Sequence, residues 1–180
     1  MKKQFFYTLF CLTLMATNLQ AQTPDNGKPH QCKPVQKEYN EEDYKNNPLL
    51  QEWKTPYQTP PFDLIKVEHY LPAFYHALEL ADKEIYMISD QKSTPTFENT
   101  IVALDRSGAL LTRISNVFFN MLSANTTPEL QKIAQEISPI LTKHSNEIYH
   151  NKALFNRVLE IYKLKDKLTK QEDKMLLEKT

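Results

Sequence analysis

The heptapeptide HSNEIYH, residues 144–150, brings together the side-chain types that hold a metal ion: His144, Glu147 and His150. Zinc takes imidazole nitrogen and carboxylate oxygen in a tetrahedral set, so the types suit it. The spacing does not. Histidines six positions apart on a regular helix point about 120° apart around its axis. A pair four apart, as in HExxH, shares one face and can close on a single ion. No HExxH occurs in residues 1–180. The heptapeptide therefore reads as the polar end of a helix ahead of a cap at Asn151. His69 and His76 share a face but lie about 10 Å apart along the axis, too far for one metal, and read as packed or surface histidines.

Other chemistries find less support. No serine, threonine or cysteine sits in a recognisable nucleophile motif. Cys32 lies in a polar stretch broken by Pro29 and Pro34, with nothing beside it to favour a thiolate. Gly27 and Gly108 are the only glycines, which excludes glycine-rich phosphate loops and dinucleotide fingerprints and argues against a turn-rich β fold. No catalytic, cofactor-binding or metal residue is assigned within the chain, and no metal is expected on it.

The elements that would position any site are helical. Residues 22–47 are polar and proline-broken, with acidic side chains from Glu38 to Asp43, and read as a flexible linker. Leu49, Leu50, Trp53, Tyr57 and Phe62 then alternate with Pro48, Pro56, Pro60 and Pro61, which predicts an extended arm clamped onto a helical body. From Leu71 the apolar period becomes 3.6: Leu71, Phe74, Leu78, Ala81, Ile85 and Ile88 form one face. A second helix carries Phe97, Ile101, Leu104, Gly108, Leu111, Ile114 and Phe118 and is expected to run unbroken to about Ser123. A third starts at the Thr127 cap, carries Leu130, Ile133, Ile137, Leu141 and Ile148, and should kink at Pro139. Asn151 caps a fourth, with Leu154, Val158, Ile161 and Tyr162 inward. Thr169 to Glu172 reads as a capping box for a fifth. Met175, Leu176 and Leu177 on that last helix have little visible to pack against, so the chain is expected to be the front of a longer protein.

Within residues 93–108, STPTFENTIVALDRSG, Thr94 or Thr96 can cap the helix start and Glu98 favours its positive end. Gly108, costly in a helix interior, is read as a point of close approach by another backbone. The aromatics of FYHALELADKEIY and VFFNML have core spacing, and YKLKDKLTKQEDK reads as a solvated charged face.

Lys2 and Lys3 precede an apolar run over residues 5–16, and Leu19-Gln20-Ala21 follows, the pattern of a secretory signal peptide over residues 1–21. Polar Thr17, Asn18 and Gln20 interrupt the run before it could span a membrane. Phe10 disfavours a lipoprotein site at Cys11, which would leave with the signal. Cleavage removes two of the 22 basic side chains and none of the 22 acidic ones. A balance of −2 offers nothing to nucleic acid, and no stable membrane insertion is expected after cleavage. Cys32, then the lone cysteine, has no partner for an internal disulfide.

Three blocks, NPLLQEWKTPYQTPPFDLIKVEHYLPAF, PTFENTIVALDRSGALLTRISNVFFN and AQEISPILTKHSNEIYHNKALFNRV, resemble the amino-terminal region of bacterial peptidyl-dipeptidases of the thimet oligopeptidase family of zinc metallopeptidases. The resemblance runs from about Asn47 to the end of the chain. It implies an all-α fold, with residues 48–180 a partial amino-terminal helical domain of a two-lobed, channel-type oligopeptidase. It implies short peptide substrates, and zinc held by an HExxH helix and a further glutamate in a carboxy-terminal half that this sequence does not include. This chain alone is then expected to be inactive. In the full-length, exported form, periplasmic or secreted, it would serve substrate access in an enzyme that releases carboxy-terminal dipeptides. The alternative is a non-catalytic exported helical module that binds peptide or a partner protein. An uncleaved signal acting as an anchor is a third reading.

Overall fold

The computed structural model describes residues 39–180, all within one compact unit. The expected signal peptide, Cys11, Gly27, Cys32 and most of the expected linker lie outside them. Among the described residues there is no strand, and the order is α1 (Glu41–Lys45), α2 (Tyr70–Asp90), α3 (Ala103–Arg106), α4 (Ala109–Ala124), α5 (Pro128–Tyr149), α6 (Lys152–Tyr162) and α7 (Gln171–Lys179). The fold is all-α, as read from the period of its apolar residues.

Helix α2 is the centre. Its apolar residues form one broad face, on which Tyr70, Ala73, Phe74, Ala77, Leu78, Ala81, Ile85 and Ile88 are all buried; Tyr75, off that face, is buried as well, and α4, α5 and α6 each pack against the helix. Small Ala73, Ala77 and Ala81 let neighbours approach, and Phe74 and Phe118 fill the space between α2 and α4 with rings 5.3 Å apart, edge to face. Tyr70 and Phe119 add edge-to-face contacts to Phe118 at 5.0 and 5.1 Å. Leu130, Ile133 and Ile137 of α5 close this core. Two smaller clusters extend it. One joins Ile85 and Ile88 to Leu154 of α6, and the other joins Ile101, Ile161 and Leu177.

The proline-rich arm clamps at one end only. Leu49 is fully buried, and Trp53 lies against the core beneath the guanidinium of Arg113, which stands 4.7 Å from its ring and donates to the Leu49 carbonyl at 2.8 Å. Tyr57 and Phe62, expected to pack, are exposed, and Tyr57 and Gln58 sit at φ of 58° and 53°, in the left-handed region. The arm also begins earlier than its apolar residues indicate. Asn40 and Asp43 form a reciprocal capping box that starts α1 within the expected linker, and buried Asn47 donates to the His69 carbonyl at 2.8 Å.

Three further differences have local causes. The second helix is not continuous: it begins as a π-helical turn at Phe97–Val102, passes into α3, breaks at Ser107 and resumes as α4. Gly108 makes that break at φ +67°, and its amide donates to the Glu84 carboxylate at 2.7 Å. A Cβ placed there would meet only the Ala81 Cβ, at an ordinary 3.9 Å. The glycine thus answers to backbone conformation, not to a close backbone neighbour. The expected capping box of α7 does not form, since Lys170 is the cap residue and makes no side-chain cap bond. Leu177 nevertheless finds a place against Ile101 and Ile161, while Met175 stays exposed. Helix α5 continues through Pro139 as one element, and Thr127 and Asn151 cap α5 and α6 as expected, but Tyr162, expected to face inward on α6, is exposed, because it lies about 100° around the helix from Ile161.

Candidate functional site

The segment between α2 and α3 is where polar side chains converge. Thr96 and Asn99 cap each other: the Asn99 amide donates to Thr96 Oγ1 at 3.1 Å, and the Thr96 amide to Asn99 Oδ1 at 2.9 Å. Asn99 Nδ2 reaches back to the Thr94 carbonyl at 3.0 Å. Gln91, at the end of α2, spans the turn by donating to the carbonyls of Ile88 and Asn99 at 3.1 and 2.9 Å. Thr100, wholly buried, donates to Asn99 Oδ1 at 2.8 Å. These bonds satisfy amides and carbonyls that a π-helical start would otherwise leave open.

One residue from a distant element completes the cluster. Arg157 of α6, only 7% exposed, donates from Nη1 to the carbonyls of Gln91 (3.2 Å) and Ser93 (3.1 Å) and from Nη2 to Asn99 Oδ1 (3.0 Å) and Thr100 Oγ1 (3.4 Å). Among the described residues no carboxylate pairs with it, and its buried Nε has no partner. Burial accordingly pushes its pKa below the usual guanidinium range. Neutral acceptors, fixed by the turn, hold this cation. The arrangement is a fork seated in a preformed loop. Its hydroxyls, those of Thr96 and Thr100, are hydrogen-bonded within the cluster to amide groups and to the guanidinium and not to a base, so its role is positional.

The residues singled out for metal chemistry go separate ways. His144 Nδ1 lies 2.7 Å from Asp82 Oδ1, joining α5 to α2. His150 Nδ1 faces the Asn146 carbonyl at 2.6 Å, and Glu147 pairs with Lys143 at 3.7 Å. Among the described residues no group of three or more His, Cys, Asp or Glu is placed to hold a metal ion. These side chains do not fit a zinc site, because each histidine is already directed to a different protein partner. A carboxylate orienting an imidazole is also part of a nucleophilic triad, but among the described residues no hydroxyl or thiol is hydrogen-bonded to His144. His76 stacks on Tyr44 at 5.0 Å, and His69 accepts the Lys66 amide at 3.0 Å, with burial pushing its pKa down.

A second α2–α5 tie lies along the same pair of helices: the Tyr75 hydroxyl donates to Glu136 at 3.0 Å. Burial, reinforced by that carboxylate, raises the Tyr75 pKa to about 12. Near the α4–α5 turn, Leu122, Thr126, Gln131, Ala134 and Gln135 line an open depression of about 330 Å³ with no ionisable group. No helix among the described residues is long and apolar enough to cross a membrane.

Sequence reasoning missed Arg157, Gln91, Asp82 and Glu84. Arg157 left a trace, because a charge stands within the inward period Leu154, Val158 and Ile161. Asp82 and Glu84 on α2 and Gln91 at its C-cap stand among ordinary polar residues and give no such signal.

No protein-family model matches the chain. Among curated proteins, it is 42% identical over 131 residues to the dipeptidyl carboxypeptidase of Salmonella typhimurium, covering 73% of this chain and 19% of that protein. The dipeptidyl carboxypeptidase of Escherichia coli is 41% identical over 122 residues, 68% of this chain and 18% of that protein. Oligopeptidase A of Escherichia coli is 29% identical over 109 residues, 61% of this chain and 15% of that protein. The chain thus spans less than a fifth of the length of the curated relatives it matches. It corresponds to a partial region of the peptidase family that contains dipeptidyl carboxypeptidase and oligopeptidase A, as its three sequence blocks implied.

Proposed function

We propose that this chain is the substrate-access part of an exported zinc metallopeptidase that hydrolyses short peptides and, in its full-length form, releases carboxy-terminal dipeptides. The observation that carries the reading is the 42% identity to a dipeptidyl carboxypeptidase over 131 residues, in a sequence without HExxH. The metal then belongs to a carboxy-terminal half, and these helices supply wall and positioning. The Arg157 cluster fits that role: it fixes a loop between helices with neutral acceptors and adds no reactive group. Export rests on the lysine-led apolar leader of residues 1–21.

The test compares residues 22–180 with the product of the whole reading frame, assaying zinc content and dipeptide release from a short blocked peptide. The expected result is about one zinc and dipeptide release from the longer product only. Cleavage by residues 22–180 alone would place the chemistry within this chain. A reading frame without HExxH would favour the non-catalytic peptide-binding module.

A further inference from the structure

Helix α6 has two apolar faces. The inward one carries Leu154, Val158 and Ile161, together with Arg157. The outward one carries Phe155, Leu159 and Tyr162, which recur at steps of four and three and so lie in one stripe. These are 60%, 36% and 44% exposed. A helix whose only task was to cover the core would present polar residues there.

We propose that this outward stripe seats an apolar helix supplied by a further segment of the same polypeptide in the longer protein. The proposal rests on the reading above, in which the chain is part of a longer peptidase. Two observations select the occupant. The relatives are more than five times longer than the region matched, so their length includes sequence available to cover the stripe. The stripe is also small: at these exposures three such side chains offer roughly 250–300 Å², against about 800 Å² per partner in a stable complex of separate chains. A second copy would gain too little from it. A segment joined covalently needs far less area, because connection raises its effective concentration. Lys165 sets one margin, with its ammonium 4.8 Å from the Tyr162 ring, so the arriving helix meets a cation beside the aromatic.

The test uses Phe155→Cys with every other cysteine replaced by serine, made in the whole-reading-frame product and in the 180-residue chain. Thiol labelling under native conditions is compared with the same protein in urea. The expected result is at least about tenfold protection in the longer product and none in the shorter chain. Leu159→Asp should lower the melting temperature of the longer product while leaving that of the shorter chain unchanged. Rapid labelling of the longer product overturns the proposal, as does a reading frame that stops at Thr180. Protection in the shorter chain that grows with its concentration assigns the stripe to a second copy and also overturns it. Dipeptide release is scored separately, so a labelled but active product refutes the docking and leaves the peptidase reading standing.

Discussion

Replacing Arg157 by methionine keeps most of the stem's volume and removes the fork. Two carbonyls, those of Gln91 and Ser93, lose a donor at 3.2 and 3.1 Å. Asn99 Oδ1 loses one of three, keeping the Thr96 amide and the Thr100 hydroxyl, and the 3.4 Å contact to Thr100 contributes little. Each buried acceptor left open costs about 1–3 kcal/mol. Against this, the variant no longer desolvates a guanidinium that lacks a carboxylate, which returns part of the loss. The balance is a destabilisation of roughly 2–4 kcal/mol. With a urea slope of about 2 kcal/mol per molar, the unfolding midpoint should fall by roughly 1–2 M. Amide hydrogen exchange should quicken first in residues 93–102, before α2 or α4. Arg157→Lys should lose about half as much, since it keeps the charge but not the planar fork. A methionine variant whose midpoint stays within about 0.3 M of the parent would refute the reasoning, because the buried charge would then cost as much as its bonds return.

Gly108→Ala should destabilise by about 1 kcal/mol through its positive φ alone, and Gly108→Asn by less, as measured by urea unfolding. Glu84→Ala removes the acceptor of the Gly108 amide and should cost roughly 1–3 kcal/mol in the same assay; a neutral result would mean the turn holds itself. Tyr75 contributes a pH dependence. Its folded pKa lies above the unfolded value, so its stabilisation is complete below about pH 10 and is lost as pH rises towards 12. The loss amounts to roughly 2–3 kcal/mol and should vanish in Tyr75→Phe, as followed by melting temperature between pH 8 and 12.

The all-α class, the faces of α2 and α5, the caps at Thr127 and Asn151 and the relationship to a peptidase family were legible in the sequence, and Thr96 was one of two caps it offered. Each depends on residues close in sequence or on identity along it, and local periodicity carries such information. The break at Gly108 was half legible: a glycine in a helical pattern signals a special backbone, but whether it bends a helix or admits a neighbour depends on the φ that the surroundings impose.

Tertiary structure alone decided the rest. Arg157 lies 58 positions from Asn99 and His144 62 from Asp82, so no periodic signal links them. Their pairing follows from α2 being packed on several sides at once, which places the end of α2 against α6 and its middle against α5. The sequence determined which helices could form and which faces were apolar, because propensity and period act within a few residues. The packing determined which polar groups met, because burial favours desolvated donors that find acceptors on whatever helix or turn is packed against them.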